Sequence, residues 1–284
     1  MRDVVTDFSN SEFIDWNDAF ENGAYIPGAA LLPDKWARLS AQLRDRQQAG
    51  GRMQADIRYG EGERQVLDIF HPEGESCGLV VLVHGGYWLR FDKSNWSFLA
   101  EGCLAHGWSV AIPSYRLAPD VPISDITQDV AAAVQLAAQN VSGPIRLVGH
   151  SAGAHLVARL LCADQILSEA VAARLAHVVP VSGIFDLRPL QANHMNESLQ
   201  LDLKQAVAES PVAHQPRRAV PMTLWVGAEE RPEFLRQTRL LCEKWSAEMD
   251  HIHACYEPGK NHFSVIDGLT RPDSALVRAL LGID

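Results

Sequence analysis

From Leu79 onward the chain alternates short apolar runs with amphipathic stretches, and this alternation constrains the fold most. The runs Leu79–His84, Ser109–Ser114, Ile145–Gly149, Val178–Ser182, Thr223–Val226 and His251–Tyr256 have the length of strands. Helical spacing of apolar residues recurs near 95–106, 123–139, 152–165, 197–208, 230–247 and 272–281. Short unbroken apolar runs bury both faces of a strand, so helices must cover a sheet from two sides. The pattern predicts an α/β class: a mostly parallel central sheet with helices on both faces. Met53–Tyr59 and Gln65–His71, joined by Gly60-Glu61-Gly62, predict an antiparallel pair leading into that sheet.

Two stretches fall outside the alternation. Residues 12–48 predict helices, with Trp16, Phe20, Trp36, Leu39 and Leu43 spaced for apolar faces. The segment Phe185–Gln215 is longer than a simple connection between helix and strand. Both are expected to fold over the carboxyl end of the sheet, where open α/β sheets bind ligands. The 284 residues then form one domain, 1–284, with a small helical cap from about 12–48 and 185–215.

The charge balance narrows the partners. Lys and Arg number 25 and Asp and Glu 35, a net charge of −10. Phosphate backbones and anionic bilayers need a basic face, so nucleic acid and membrane partners are not expected. No segment approaches the roughly 20 apolar residues of a membrane span. Met1–Asn10 carries Arg2, Asp3 and Asp7 and lacks the apolar core of a secretory signal. The five cysteines are scattered and never form a C-x-x-C pair, as expected of reduced thiols in a cytoplasmic protein. Oligomeric state stays open, a homodimer included.

The strongest chemical signal is Gly149-His150-Ser151-Ala152-Gly153, between the run Ile145–Val148 and a helical stretch beginning at Ala152. This is the strand–turn–helix context of a G-x-S-x-G elbow. The glycines remove Cβ atoms where the turn is crowded, and Ser151 projects as a nucleophile at a helix N-terminus. His84-Gly85-Gly86-Tyr87-Trp88 directly follows another apolar run. Its paired glycines let the backbone approach a ligand closely. His262 follows the last strand, where a base is expected. The acid must then lie between Ser151 and His262, in the order serine, acid, histidine. Glu230 is chosen from the loop after Thr223–Val226, with Glu229 its close rival and Asp250 a weaker one. His150 and His155 read as packing or polar support and His84 as a brace for the glycine loop. His251 and His253 find no third ligand at metal spacing. No metal and no cofactor is expected.

These motifs, with Tyr115-Arg116-Leu117-Ala118-Pro119, resemble the α/β-hydrolase superfamily and its hormone-sensitive-lipase-like esterases. The HGGYW form of the loop, the segment Val181–Leu187 followed by Pro189-Leu190, Ser210-Pro211, and Pro232-Glu233-Phe234 with Arg236-Gln237 resemble the kynurenine formamidase (arylformamidase) branch. The resemblance implies Ser151 as nucleophile, His262 as base and Glu230 as acid, where that branch usually has Asp. It implies an oxyanion hole from the N–H groups of Gly85, Gly86 and Ala152. The implied reaction is hydrolysis of N-formylkynurenine to kynurenine and formate, in tryptophan breakdown; the alternative is a carboxylesterase acting on small acyl esters. The partner is accordingly a small aryl amide or ester. Tyr87, Trp88 and Phe185 are candidates by position for its aryl wall. Arg188 and Arg90 are open candidates for reading an amino-acid zwitterion. The −10 charge gives no long-range pull on such a substrate, so local apolar shape is expected to carry recognition.

Overall fold

A computed structural model describes residues 14–164, 167–217 and 220–283. The reading of Met1–Asn10, and residues 12 and 13 of the first helical stretch, lie outside the described residues. Eight strands form one sheet: β1 (Met53–Arg58), β2 (Val66–Phe70), β3 (Leu79–Val83), β4 (Ser109–Pro113), β5 (Ile145–His150), β6 (Leu175–Val181), β7 (Met222–Gly227) and β8 (Ile252–Glu257). Their spatial order is β1-β2-β4-β3-β5-β6-β7-β8. β1 and β2 run antiparallel to their neighbours, and β3 through β8 are mutually parallel. The connection from β3 goes one way to β4 and that from β4 returns to β5, so the winding reverses between β3 and β5. That reversal opens a crevice at the carboxyl ends of the two strands.

Strand periodicity divides the core. Leu79, Val81 and Val83 point into one apolar cluster, and Val80 and Leu82 into the other. All five are nearly inaccessible to solvent. Each such side chain contributes about 1.5–3 kcal/mol relative to exposure. The helices are α1 (Trp16–Phe20), α2 (Leu32–Ala49), α3 (Glu101–Ala105), α4 (Ile123–Asn140), α5 (Ala152–Arg159), α6 (Glu169–Ala172), α7 (Asn196–Leu199), α8 (Leu203–Ala208), α9 (Pro232–Trp245) and α10 (Ala275–Leu281). Buried residues of α1, α4, α5 and α9 join one cluster, and those of α2, α3 and α10 the other. Among the described residues no helix is long and apolar enough to cross a membrane.

Several expected helices are shorter or broken, and the stretch 95–106 is α-helical only over Glu101–Ala105, after two 3-10 turns. The stretch 152–165 stops at Arg159, whose side chain grips Asp164 in the loop beyond with two 2.8 Å bonds. The stretch 197–208 splits at Gln200, which is left-handed at φ 53°. The first helical stretch breaks after Phe20, where Glu21 is extended, and restarts at α2, past a left-handed Gly28 (φ 76°), with Pro33 in its first turn.

Candidate active site

Ser151 sits on the tip of the elbow with φ 55° and ψ −117°, between β5 and α5. A non-glycine residue there stores about 1–3 kcal/mol of strain and needs its surroundings to hold it. The neighbours show how. Ser151 N–H donates to Val181 O at 2.9 Å, extending the β5–β6 ladder through the turn. A Cβ on Gly149 would lie 2.1 Å from Gly153 O, and one on Gly153 would lie 2.0 Å from Val83 O. The two motif glycines therefore let α5 fold back against its own strand and against β3.

The glycine loop after β3 meets the elbow across the crevice. A Cβ on Gly85 would lie 3.0 Å from Ser151 Cβ and 2.8 Å from His150 O. Gly86 has φ 119° and packs against Arg90 O. At N1 of α5 the Ala152 N–H has no intrahelical acceptor. His84 is fully buried, its Nδ1–H donates to Gly85 O at 2.7 Å, and its ring stacks on Tyr115 at 4.3 Å. Burial lowers its pKa to about 4, so a neutral ring braces the loop, as expected.

The residues expected as acid and base, Glu230 and His262, follow β7 and β8. His262 Nδ1–H donates to Glu230 Oε2 at 2.7 Å. Glu230 Oε1 accepts from Gly227 N–H at 2.8 Å and from the Ser182 hydroxyl. One carboxylate oxygen is thus fixed by two donors and the other is left for the imidazole, which keeps Nε2 free for a serine proton. Glu229 and Asp250, the rivals, are both exposed. The loops are tied by main-chain bonds, Glu229 N–H to Lys260 O at 3.0 Å and Ala228 N–H to Glu257 O at 2.9 Å. Ser182, itself at φ 55° at the end of β6, is a partner of the acid that sequence reasoning missed. It stands in the Val181–Leu187 segment, but nothing in that string marks a hydroxyl aimed at Glu230.

His150 links the elbow to His262. Its Nε2–H donates to His262 O at 2.8 Å, and the two rings lie 4.8 Å apart. Burial, with a smaller push from His262, lowers its pKa to about 3, so it stays neutral. Ser151 and His262 line one cavity of about 580 Å³. Among the described residues no hydrogen bond joins them; such bonds often tighten only with substrate bound. His155 donates Nε2–H to Glu209 O at 2.7 Å and packs edge-on to Trp88, which is support rather than chemistry. Among the described residues no group of three His, Cys, Asp or Glu is placed to hold a metal.

The cavity wall corrects the aryl-wall reading. Tyr87 lines it, but Trp88 and Phe185 do not: they are 0% and 1% exposed in the apolar core. Left-handed backbone at Tyr87, Trp88 and Phe91 rolls the loop so that Trp88 turns inward while its neighbours face the cavity. The aromatic surface comes instead from Trp36, Phe91, Trp96 and Phe263. Trp36 is their hub, 4.6 Å from Trp96 and 5.8 Å from Phe263 between ring centroids. In the sequence Trp36 reads as one residue of a helical apolar face, and nothing marks the other three.

The N-terminal segment and the insert close the remaining wall with Asn17, Phe20, Asn22, Asn193, His194 and Met195. They are joined by Asn193 Nδ2–H to Trp16 O and His194 N–H to Asn17 Oδ1, both 2.7 Å. Tyr87 donates its hydroxyl to Phe20 O at 2.6 Å and accepts from Asn22 Nδ2 at 2.9 Å. Arg231, next to Glu230, pairs with Asp18 and lies 3.7 Å above the Tyr25 ring.

Comparison with known proteins agrees with this geometry. A family model described as BD-FAE matches residues 67–238. A kynurenine formamidase of Danio rerio is 32% identical over 80% of both chains, and one of Salmo salar is 31% identical with the same coverage. A crystal structure from Silicibacter sp. TM1040, provisionally described as a thioesterase, is 48% identical, with a TM-score of 0.90 over 94% of this chain and 99% of that one. With one family model across more than half its length and two relatives above 30% identity, the chain belongs to the BD-FAE family and is a hydrolase of the kynurenine formamidase branch of the α/β-hydrolase superfamily.

Proposed function

We propose that the protein hydrolyses an aryl formamide, N-formylkynurenine, to kynurenine and formate through a formyl-enzyme on Ser151. His262 takes the serine proton as Ser151 attacks the formyl carbon. Glu230 holds the imidazole in the correct tautomer and stabilises the imidazolium. The N–H groups of Gly85, Gly86 and Ala152 receive the oxyanion. An arylamine leaves poorly as an anion, so His262 returns the proton to nitrogen as the C–N bond breaks. Water then attacks the formyl ester, with His262 again the base, and formate departs.

One observation carries the chemistry: His262, held by the buried Glu230, opens onto the same aromatic-walled cavity as Ser151. The substrate class is supported by the activity named for the two fish relatives. We read the chain as a single domain in which the N-terminal segment and the insert form a cap. Free cysteines support a reducing, cytoplasmic setting.

A carboxylesterase would use the same residues, and the 48% identical neighbour keeps esters and thioesters in the test. The experiment compares kcat/KM on N-formylkynurenine with matched aryl esters and thioesters, using Ser151→Ala as the blank. Turnover of the formamide at least as efficient as that of the esters is expected. Ester turnover with formamide hydrolysis no faster than the Ser151→Ala blank would overturn the substrate.

A further inference from the structure

We propose that Arg90 and Glu21 form a subsite for the two charges of an α-amino-acid group, so that the cavity favours aryl amides carrying a zwitterion. The proposal rests on the formamidase reading and adds to it the residues that select the substrate.

In a chain with 35 acidic and 25 basic residues, the cavity wall is charge-balanced. Among its described residues Arg90 and Glu21 are the two with fixed charge. They come from different parts of the wall. Arg90 follows the glycine loop, and a Cβ on Gly86 would lie 2.5 Å from Arg90 O, so its backbone is packed against the oxyanion loop. Glu21 caps the end of α1. Both flank Tyr87: burial dominates the rise in that hydroxyl's pKa, and Glu21 and Arg90 add smaller pushes of opposite sign.

Neither charge is used up by the fold. Other arginines nearby are committed: Arg64 to the carbonyls of Tyr115 and Phe91, Arg231 to Asp18, and Arg188 to Asp186 at 2.8 Å. Arg188, the other candidate for zwitterion reading, is outside the cavity wall. The Arg90 guanidinium lies 5.2 Å from the Phe91 ring centroid and forms no ion pair among the described residues. Glu21 accepts one bond, from Ala24 N–H at 3.1 Å through Oε1, and meets no cation among the described residues. A planar guanidinium takes a carboxylate bidentately, and a carboxylate takes an ammonium. The aryl ring then lies against the Trp36–Phe263 side with its formamide toward Ser151. Apolar shape alone does not distinguish an aryl amide with a zwitterion from one without; this pair does.

The test measures kcat and KM for wild type, Arg90→Met, Arg90→Lys and Glu21→Gln on three formamides. They are N-formylkynurenine, its analogue lacking the amine, and formanilide, which lacks both charges. Arg90→Met is expected to lower the kcat/KM ratio of N-formylkynurenine over formanilide about tenfold, through KM, with Arg90→Lys recovering part of it. Glu21→Gln is expected to lower the ratio of N-formylkynurenine over the amine-free analogue by about three- to tenfold. If both ratios stay within about twofold of wild type while N-formylkynurenine is hydrolysed, the subsite is wrong and the formamidase reading stands. If wild type hydrolyses none of the three formamides yet cleaves aryl esters, the formamidase reading falls and takes the subsite with it.

Discussion

The two sides of the cavity are built in different ways. On one side, Gly85, Ser151, Glu230 and His262 stand at the ends of β3, β5, β7 and β8, held by main-chain bonds and by glycines that admit no Cβ. On the other side, Asn17 and Asn22 of the N-terminal segment and Asn193 and His194 of the insert reach the cavity from parts of the chain far apart in sequence, and side-chain bonds hold them together. On the mechanism proposed above, the first is a rigid frame for bond-making and the second an adjustable wall. Chemistry requires sub-ångström placement, which backbone ladders supply. Choice of substrate tolerates and exploits change in the wall.

This contrast can be broken most forcefully at the frame. Ser151→Ala is expected to lower kcat by about 10⁴–10⁶-fold on every substrate, measured against a protein blank. Glu230→Gln keeps the shape but presents an amide in place of the carboxylate, and kcat is expected to fall about 10³–10⁴-fold. Glu230→Asp shortens the reach to His262 Nδ1 and to the Ser182 hydroxyl, and an intermediate loss is expected. His150 tests whether a residue that makes no bond to substrate still belongs to the frame. His150→Phe removes the bond to His262 O and should lower kcat about 10–100-fold with KM changed less than threefold. His150→Gln, which can restore a donor near Nε2, should recover most of the loss. Equal losses in both variants would place His150 with ordinary packing. At the wall, Asn193→Ala removes two side-chain hydrogen bonds and is expected to raise KM a few-fold and lower Tm by a few degrees.

The frame also has a pH signature. Burial lowers the pKa of His84 to about 4 and that of His150 and His155 to about 3. In the unfolded chain these rings titrate near 6.5, so between that pH and their folded values the unfolded state binds more protons. Their contribution is therefore present above pH ~6.5 and lost as pH falls toward 4 and 3. Urea titrations from pH 7.5 to 4.5 should show a falling midpoint, and His155→Leu should flatten the slope. A midpoint that rises on acidification would contradict the assignment of neutral buried rings.

Much of the frame was legible in the sequence because its signals are local. Alternating apolar runs located all eight strands, with ends shifted by a few residues. Gly149, Gly153 and Gly85 announce close backbone approach by their lack of a Cβ. Glu229 and Glu230 could not be separated by position, since one loop residue turns outward and the next inward only once Gly227 packs on Lys260 O. The wall was illegible for the opposite reason. Trp36 and Trp96 carry the same helical or turn-region pattern as buried aromatics, and their meeting depends on α2 lying beside the loop after β3. Trp88 was misassigned because three left-handed residues reverse the facing of that loop, and left-handed backbone at Tyr, Trp and Phe leaves no trace in composition.

The division between frame and wall is tested most directly by the rate of covalent labelling with a fluorophosphonate probe, followed by peptide mapping. Wild type is expected to carry one adduct, on Ser151. The rate should fall about 10³-fold or more in Glu230→Gln and less than tenfold in Asn193→Ala. An adduct on another residue, or Glu230→Gln labelled at the wild-type rate, would contradict the frame.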